Sequence, residues 1–111
     1  MLTSKEIAHL AVKALDDKLA RDIQILKTDK VTVLADYFIL CTAGNSTHGK
    51  TLADEVDKVL SQAGEGSRSG GWTLLDFGCV VVHIFSEEMR SFYSLDRLWS
   101  DAEKIDYKDF L

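Results

Sequence analysis

Apolar positions recur along this chain with two periods, and the switches between them mark out its elements. Ile7, Leu10, Ala11, Ala14, Leu15 and Leu19 fall three and four apart, which predicts a first helix with those residues on its inner face. Thr3 stands where a cap is wanted, and Glu6 follows three residues later to complete a capping box. Asp22 to Lys27 breaks the helical period and reads as a short strand, and Thr28 to Ala35 reads as a connection. Tyr37 to Thr42 is apolar at odd and even positions alike, the mark of a strand covered on both faces. Ser46 is placed to cap a second helix whose inward residues are Leu52, Ala53, Val56, Val59, Leu60 and Ala63, with Gly64 at its end. Glu65 to Gly71, rich in glycine and serine, reads as a mobile loop.

Trp72 to Phe77 and Cys79 to Phe85 then form a hairpin around Phe77-Gly78. In that register Asp76 pairs with Cys79, Leu74 with Val81 and Trp72 with His83. Trp72, Asp76 and His83 share one face; Val80, Val82 and Ile84 lie on the other, packed side. Ser86 with Glu87 and Glu88 starts a third helix, its acids at the positive end of the dipole. Arg90 to Trp99 continues as short helical turns, and the last dozen residues are expected to be only partly ordered. The order predicts an α/β fold: a mixed sheet of about four to five strands flanked by helices, in one domain over residues 1–111.

Composition narrows the class. At 111 residues and 46% hydrophobic content the chain can build one core and is too apolar for a disordered regulator. No stretch approaches the roughly 18 apolar residues of a membrane span, and the N-terminus lacks a secretory core, so a cytoplasmic protein is expected. Cys41 and Cys79, each among apolar residues, are expected to be reduced core thiols.

The net charge of −5 is uneven. Residues 1–70 hold ten acids and nine bases, whereas residues 71–111 hold eight acids and four bases. No basic stripe offers itself to phosphates, which argues against sequence-specific nucleic-acid binding. An acidic C-terminal half favours encounter with a basic protein surface; solubility explains it equally well.

Catalytic chemistry is sparse. Neither the G-x-x-x-x-G-K-[ST] nor the G-x-G-x-x-G spacing occurs. His9, His48 and His83 have no paired spacing suited to a metal, and Asp54 and Asp57 lie on a solvated helix face. Gly44-Asn45-Ser46 lacks the G-x-S-x-G turn of a nucleophilic serine. Strand–Gly–x–Ser–helix also opens the site of nucleotidyltransferase-like folds, but those need several acids on the following strands and here only Asp76 is offered. No catalytic residue, metal or cofactor is therefore expected. An excess of aromatic and charged residues remains at and after the hairpin: Trp72, Asp76, Phe77, His83, Arg90, Phe92, Tyr93, Asp96 and Trp99. Trp, Tyr and Arg anchor protein interfaces, and aromatics also fill cores; composition alone does not choose between the two.

Three blocks carry a resemblance. Asp36-Tyr-Phe-Ile-Leu with Gly44-Asn-Ser46, then Gly71-Trp-Thr-Leu-Leu-Asp-Phe-Gly78 with Val80-Val-Val-His-Ile-Phe85, then Arg90-x-Phe-Tyr-x-Leu-Asp-Arg-Leu-Trp99 with Asp101-Ala102 resemble, in order, the signatures of the RsfS/Iojap family of ribosomal silencing factors. Three departures stand out: Cys79 where the family usually has an acid, Thr47-His-Gly49 at the helix opening, and few apolar residues in Glu65 to Gly71. The resemblance implies a nucleotidyltransferase-like fold without an active site. It further implies binding to ribosomal protein L fourteen on the large subunit, blocked association with the small subunit, repressed translation when nutrients are scarce, a part in large-subunit biogenesis, and homodimers when free. The candidate partner-binding residues are Trp72, Asp76, His83, Tyr93, Asp96 and Trp99. Two other classes stay open: an enzyme of nucleotidyltransferase-like fold, and a self-associating scaffold.

Overall fold

The structure, a computed structural model, describes residues 3–29, 35–60, 65–69, 72–92 and 103–111. Helix α1 (Ser4–Asp17) opens on the expected capping box: Thr3 Oγ1 accepts from the Glu6 N–H at 3.1 Å, and Glu6 Oε1 accepts from the Thr3 N–H at 3.1 Å. The bonds from Thr3 hold the Glu6 carboxyl below its ordinary range. Ala8, Ala11, Val12, Ala14 and Leu15 are its buried residues. Leu19 does not belong to that inner face. The helix ends at Asp17; the Ala20 N–H donates to Leu15 O at 2.9 Å and the Leu19 N–H to Asp16 O at 3.0 Å, a paired-bond stop that needs a left-handed residue between. Leu19 is that residue, with φ 64° and 79% exposure. A side chain in this region costs roughly 1–2 kcal/mol that glycine does not incur. Leu19→Gly, offset by its looser unfolded chain, is therefore expected to gain up to about 1 kcal/mol, read by urea unfolding.

The sheet has six strands, in the order β3-β4-β5-β2-β1-β6. These are β1 (Arg21–Lys27), β2 (Tyr37–Ala43), β3 (Glu65–Ser69), β4 (Trp72–Asp76), β5 (Val80–Ser86) and β6 (Glu103–Ile105). β2 and β5 run parallel at the centre, and every other pair is antiparallel, so the sheet is mixed as expected. Helix α2 (Ser46–Leu60) leaves the end of β2 and buries Leu52, Ala53, Val56 and Leu60 against the same sheet face as α1. Its cap is Asn45 rather than Ser46: Asn45 Oδ1 accepts from the His48 N–H at 2.8 Å, and Ser46 is already helical. β2 is buried almost throughout, as its two-sided apolar pattern requires.

Two segments are more regular than their composition implied. Glu65–Ser69 is a strand on the sheet edge, paired with β4 from Glu65↔Asp76 to Ser69↔Trp72, not a loop. Residues 103–111 hold regular elements too: β6 pairs with β1, and a 3₁₀-helix, Tyr107–Phe110, carries Phe110 into the core. The Phe110 ring meets Tyr37 edge-on at 5.6 Å, and its carbonyl is bonded to His9 Nδ1.

The hairpin register also differs. Leu74 pairs with His83, Asp76 with Val81 and Trp72 with Phe85. The turn is centred on Gly78-Cys79, closed by a 2.9 Å bond from the Phe77 N–H to Val80 O. Gly78, at φ 83°, takes the first central position, where a type II′ turn wants a positive φ. Cys79 is therefore a half-buried turn residue, while Cys41 is fully buried; both are free thiols. Burial pushes the Cys41 thiol up to about 12, and Cys79 is also raised by burial.

Candidate partner-binding face

Strands with two apolar parities bury both sheet faces. Val80, Val82 and Ile84 of β5 face α1 and α2. Val81 and Phe85 lie on the opposite face in a second cluster with Leu26, Ala35, Phe38 and Leu40, bordered by Leu74 and Met89. His83 belongs to that face by alternation. It is 5% exposed, edge-on to Phe38 at 5.2 Å and stacked with Phe85 at 6.0 Å. Burial disfavours the imidazolium and lowers the His83 pKa to about 4.

The shift in register is by two residues, so Trp72, Asp76 and His83 remain on one face, although Trp72 now lies across from Phe85. Asp76 is exposed, and its Oδ1 accepts from the Gly78 N–H at 2.8 Å, which ties it to the turn. Trp72 is placed by its backbone on β4; Tyr93, Asp96 and Trp99 lie outside the described residues, as does the proposed helical continuation over 93–99. The structure thus joins Trp72, Asp76 and His83 through one hairpin and leaves His83 beneath the surface.

At the carboxyl ends of the parallel strands, where open α/β sheets usually keep their ligands, protein groups satisfy one another. Ser86 Oγ caps α3 (Glu87–Phe92), accepting from the Met89 N–H at 3.2 Å. Arg90 Nη1 donates to Thr42 Oγ1 at 3.2 Å, and its Nη2 donates to Asp22 O at 3.1 Å. Arg21 and Glu87 form an exposed ion pair. His48 Nδ1 accepts from the Gly44 N–H at 2.9 Å, and its Nε2 donates to Lys18 O at 2.7 Å. A Cβ at Gly44 would lie 3.5 Å from Arg21 Nη2 and 3.6 Å from His48 Nδ1. Arg21, Asp22 and His48 were not among the candidate partner-binding residues, and Arg90 was noted only as one of the charged residues after the hairpin; no spacing in the chain announces their meeting, because crossover connections bring them together. No group of three or more His, Cys, Asp or Glu among the described residues could hold a metal ion. No helix among them is long and apolar enough to cross a membrane.

These features define a mixed-sheet α/β domain whose switch point is crossed by hydrogen bonds between its own residues and whose hairpin carries one exposed acid, Asp76. Comparison with known proteins places it further. A family model described as "Ribosomal silencing factor during starvation", RsfS, matches residues 1–111, and the chain belongs to that family. The ribosomal silencing factor RsfS of Halalkalibacterium halodurans is 33% identical over 111 residues, covering 95% of each chain. That of Bacillus subtilis is 35% identical over 111 residues, covering 95% of this chain and 94% of the relative. A crystal structure of a protein from Chromobacterium violaceum superposes with a TM-score of 0.79 at 35% identity, covering 89% of this chain and 88% of that one.

Proposed function

We propose that this protein silences ribosomes by occupancy. It binds ribosomal protein L fourteen on the large subunit, blocks association with the small subunit and represses translation under nutrient limitation, with a further part in large-subunit biogenesis. It acts without catalysis or cofactor, in the cytoplasm, and forms homodimers when free. The observation that carries this reading is the family match across residues 1–111. The face proposed for contact is the outer side of the β4–β5 hairpin with the chain that follows α3. Trp72, Asp76, Tyr93, Asp96 and Trp99 supply anchors and acids to it, and His83 is buried within the hairpin. Charge supports a basic protein partner, since residues 71–111 hold twice as many acids as bases.

The test is gradient sedimentation with purified ribosomal subunits. The protein is expected to travel with the free large subunit and to lower the yield of joined ribosomes in proportion to bound factor, with no nucleotide requirement. Trp72→Ala and Tyr93→Ala are each expected to weaken that binding by 2 kcal/mol or more, roughly thirtyfold, while the fold survives. Inactivation of excess subunits by substoichiometric protein would overturn the occupancy mechanism. Normal binding by both folded variants would move the interface to another face.

A further inference from the structure

The helix that follows the hairpin is tied across β2 to β1, and the ties converge on an irregularity in the sheet. In the β1–β2 register Arg21 lies opposite Thr42 and Gln24 opposite Leu40, so Asp22 and Ile23 share the space across from Cys41. This is a β-bulge, and Asp22 sits in it at φ 49°. A bulged residue drops out of the ladder, and its backbone groups need partners elsewhere. The Asp22 carbonyl finds one on α3, where Arg90 Nη2 donates to it at 3.1 Å. The same guanidinium donates through Nη1 to Thr42 Oγ1 at 3.2 Å, on a threonine that is 2% exposed. One planar fork thus spans β1 and β2 at the bulge. Glu87, three residues earlier on the same face of α3, pairs with Arg21.

α3 needs such fastening. Its six residues make less than two turns, well below the length at which a helix holds itself in water. The Ser86 cap is local to the helix, and Met89 only borders the second cluster. The Arg21–Glu87 pair is exposed at both ends, and pairs of that kind contribute little. Arg90 is half-buried and reaches acceptors 48 and 68 positions away in the sequence. The chain that leaves α3 at residue 93 carries Tyr93, Asp96 and Trp99, so the point from which it departs is set by where α3 is held.

We infer that Arg90 is a positioning residue for partner binding. Seated in the β1 bulge, it holds α3 on the sheet and fixes the start of the chain proposed to contact the ribosome. The bulge serves as its receptor, because it frees the Asp22 carbonyl beside Thr42. This role rests on the ribosome-binding reading of the chain after α3.

The experiment follows amide hydrogen exchange, urea unfolding and co-sedimentation with large ribosomal subunits for the full chain, Arg90→Met and Thr42→Val. Arg90→Met keeps an apolar stem and removes the fork; Thr42→Val removes one acceptor. Arg90→Met is expected to exchange faster in α3 while β2 and β5 stay protected. It should bind subunits about tenfold more weakly, since affinity falls with the fraction of molecules whose contact chain is in place. Thr42→Val is expected to move both readouts the same way by a smaller factor. Gly49→Ala, whose added Cβ would meet Ala43 Cβ at an ordinary 3.6 Å, strengthens α2 and serves as a stabilising background. Arg90→Met in that background is expected to bind as weakly as before; restored binding would reduce Arg90 to a general contribution to stability and overturn its positioning role. Weak binding with α3 exchange unchanged would make Arg90 itself a contact and also overturn it. If the wild-type chain and Arg90→Met bind equally well, the inference fails alone. If the wild-type chain does not travel with large subunits, the ribosome reading fails and the positioning role falls with it.

Discussion

Phe85→Ala is expected to cost about 3–5 kcal/mol of folding stability, enough to leave much of so small a domain unfolded at physiological temperature. Phe85 is fully buried on the face opposite the two long helices. Its backbone is held on both sides, against Thr42 of β2 and Trp72 of β4, so the strands cannot close over the void. Among the described residues, the cluster it anchors holds Leu26, Ala35, Phe38, Leu40 and Val81 as its other buried hydrophobics, packed at the density of a protein interior. Urea unfolding of the variant measures the loss. A cost below about 1 kcal/mol would mean that this face contributes little to stability.

Acid is expected to act through the same cluster. Burial holds the His83 pKa near 4 in the folded chain, against 6.5 for an ordinary imidazole. Between those values the unfolded chain binds the additional proton, so stability is intact above about pH 6.5 and declines as pH falls towards 4. A gap of that size corresponds to about 3 kcal/mol. Unfolding midpoints in urea at several pH values between 7.5 and 4 should show the decline. His83→Phe, which offers Phe38 and Phe85 another ring to pack against, should flatten it. An equal slope in the variant would assign the acid sensitivity to the carboxylates instead.

How far the sequence foretold these features depended on the range of the interactions. The α1 capping box and the buried faces of both long helices are local, three or four residues apart, and were legible. The start of α2 was misplaced by one position because Asn45 and Ser46 are both good caps. The hairpin was legible in its faces but not in its register. Gly78 was read as the second turn residue, whereas its positive φ suits the first. The resulting slip of two residues changed every pair yet left each side chain on its expected face. Glu65–Ser69 was illegible because its composition is that of a loop, and its pairing is conferred by β4. In the proposed contact face, Asp76 was legible as a strand residue sharing a face with Trp72 and His83, and only its pairing partner was wrong. The burial of His83 was not, since it depends on β2 supplying Phe38 from more than forty positions earlier in the chain.

The parallel pairing of β2 and β5 also orders events in time. Tyr37 meets Val80 only after the intervening α2, β3 and β4 have been synthesised, whereas β1 and β2 can pair across a short connection as soon as both exist. Closing the long loop is entropically costly before its contacts form, so the central ladder is expected to be the late step of folding. Until β5 arrives, β2 presents one unpaired edge and an almost wholly apolar sequence. That interval is when the nascent chain is most exposed to aggregation, and slower translation between residues 43 and 80 would lengthen it.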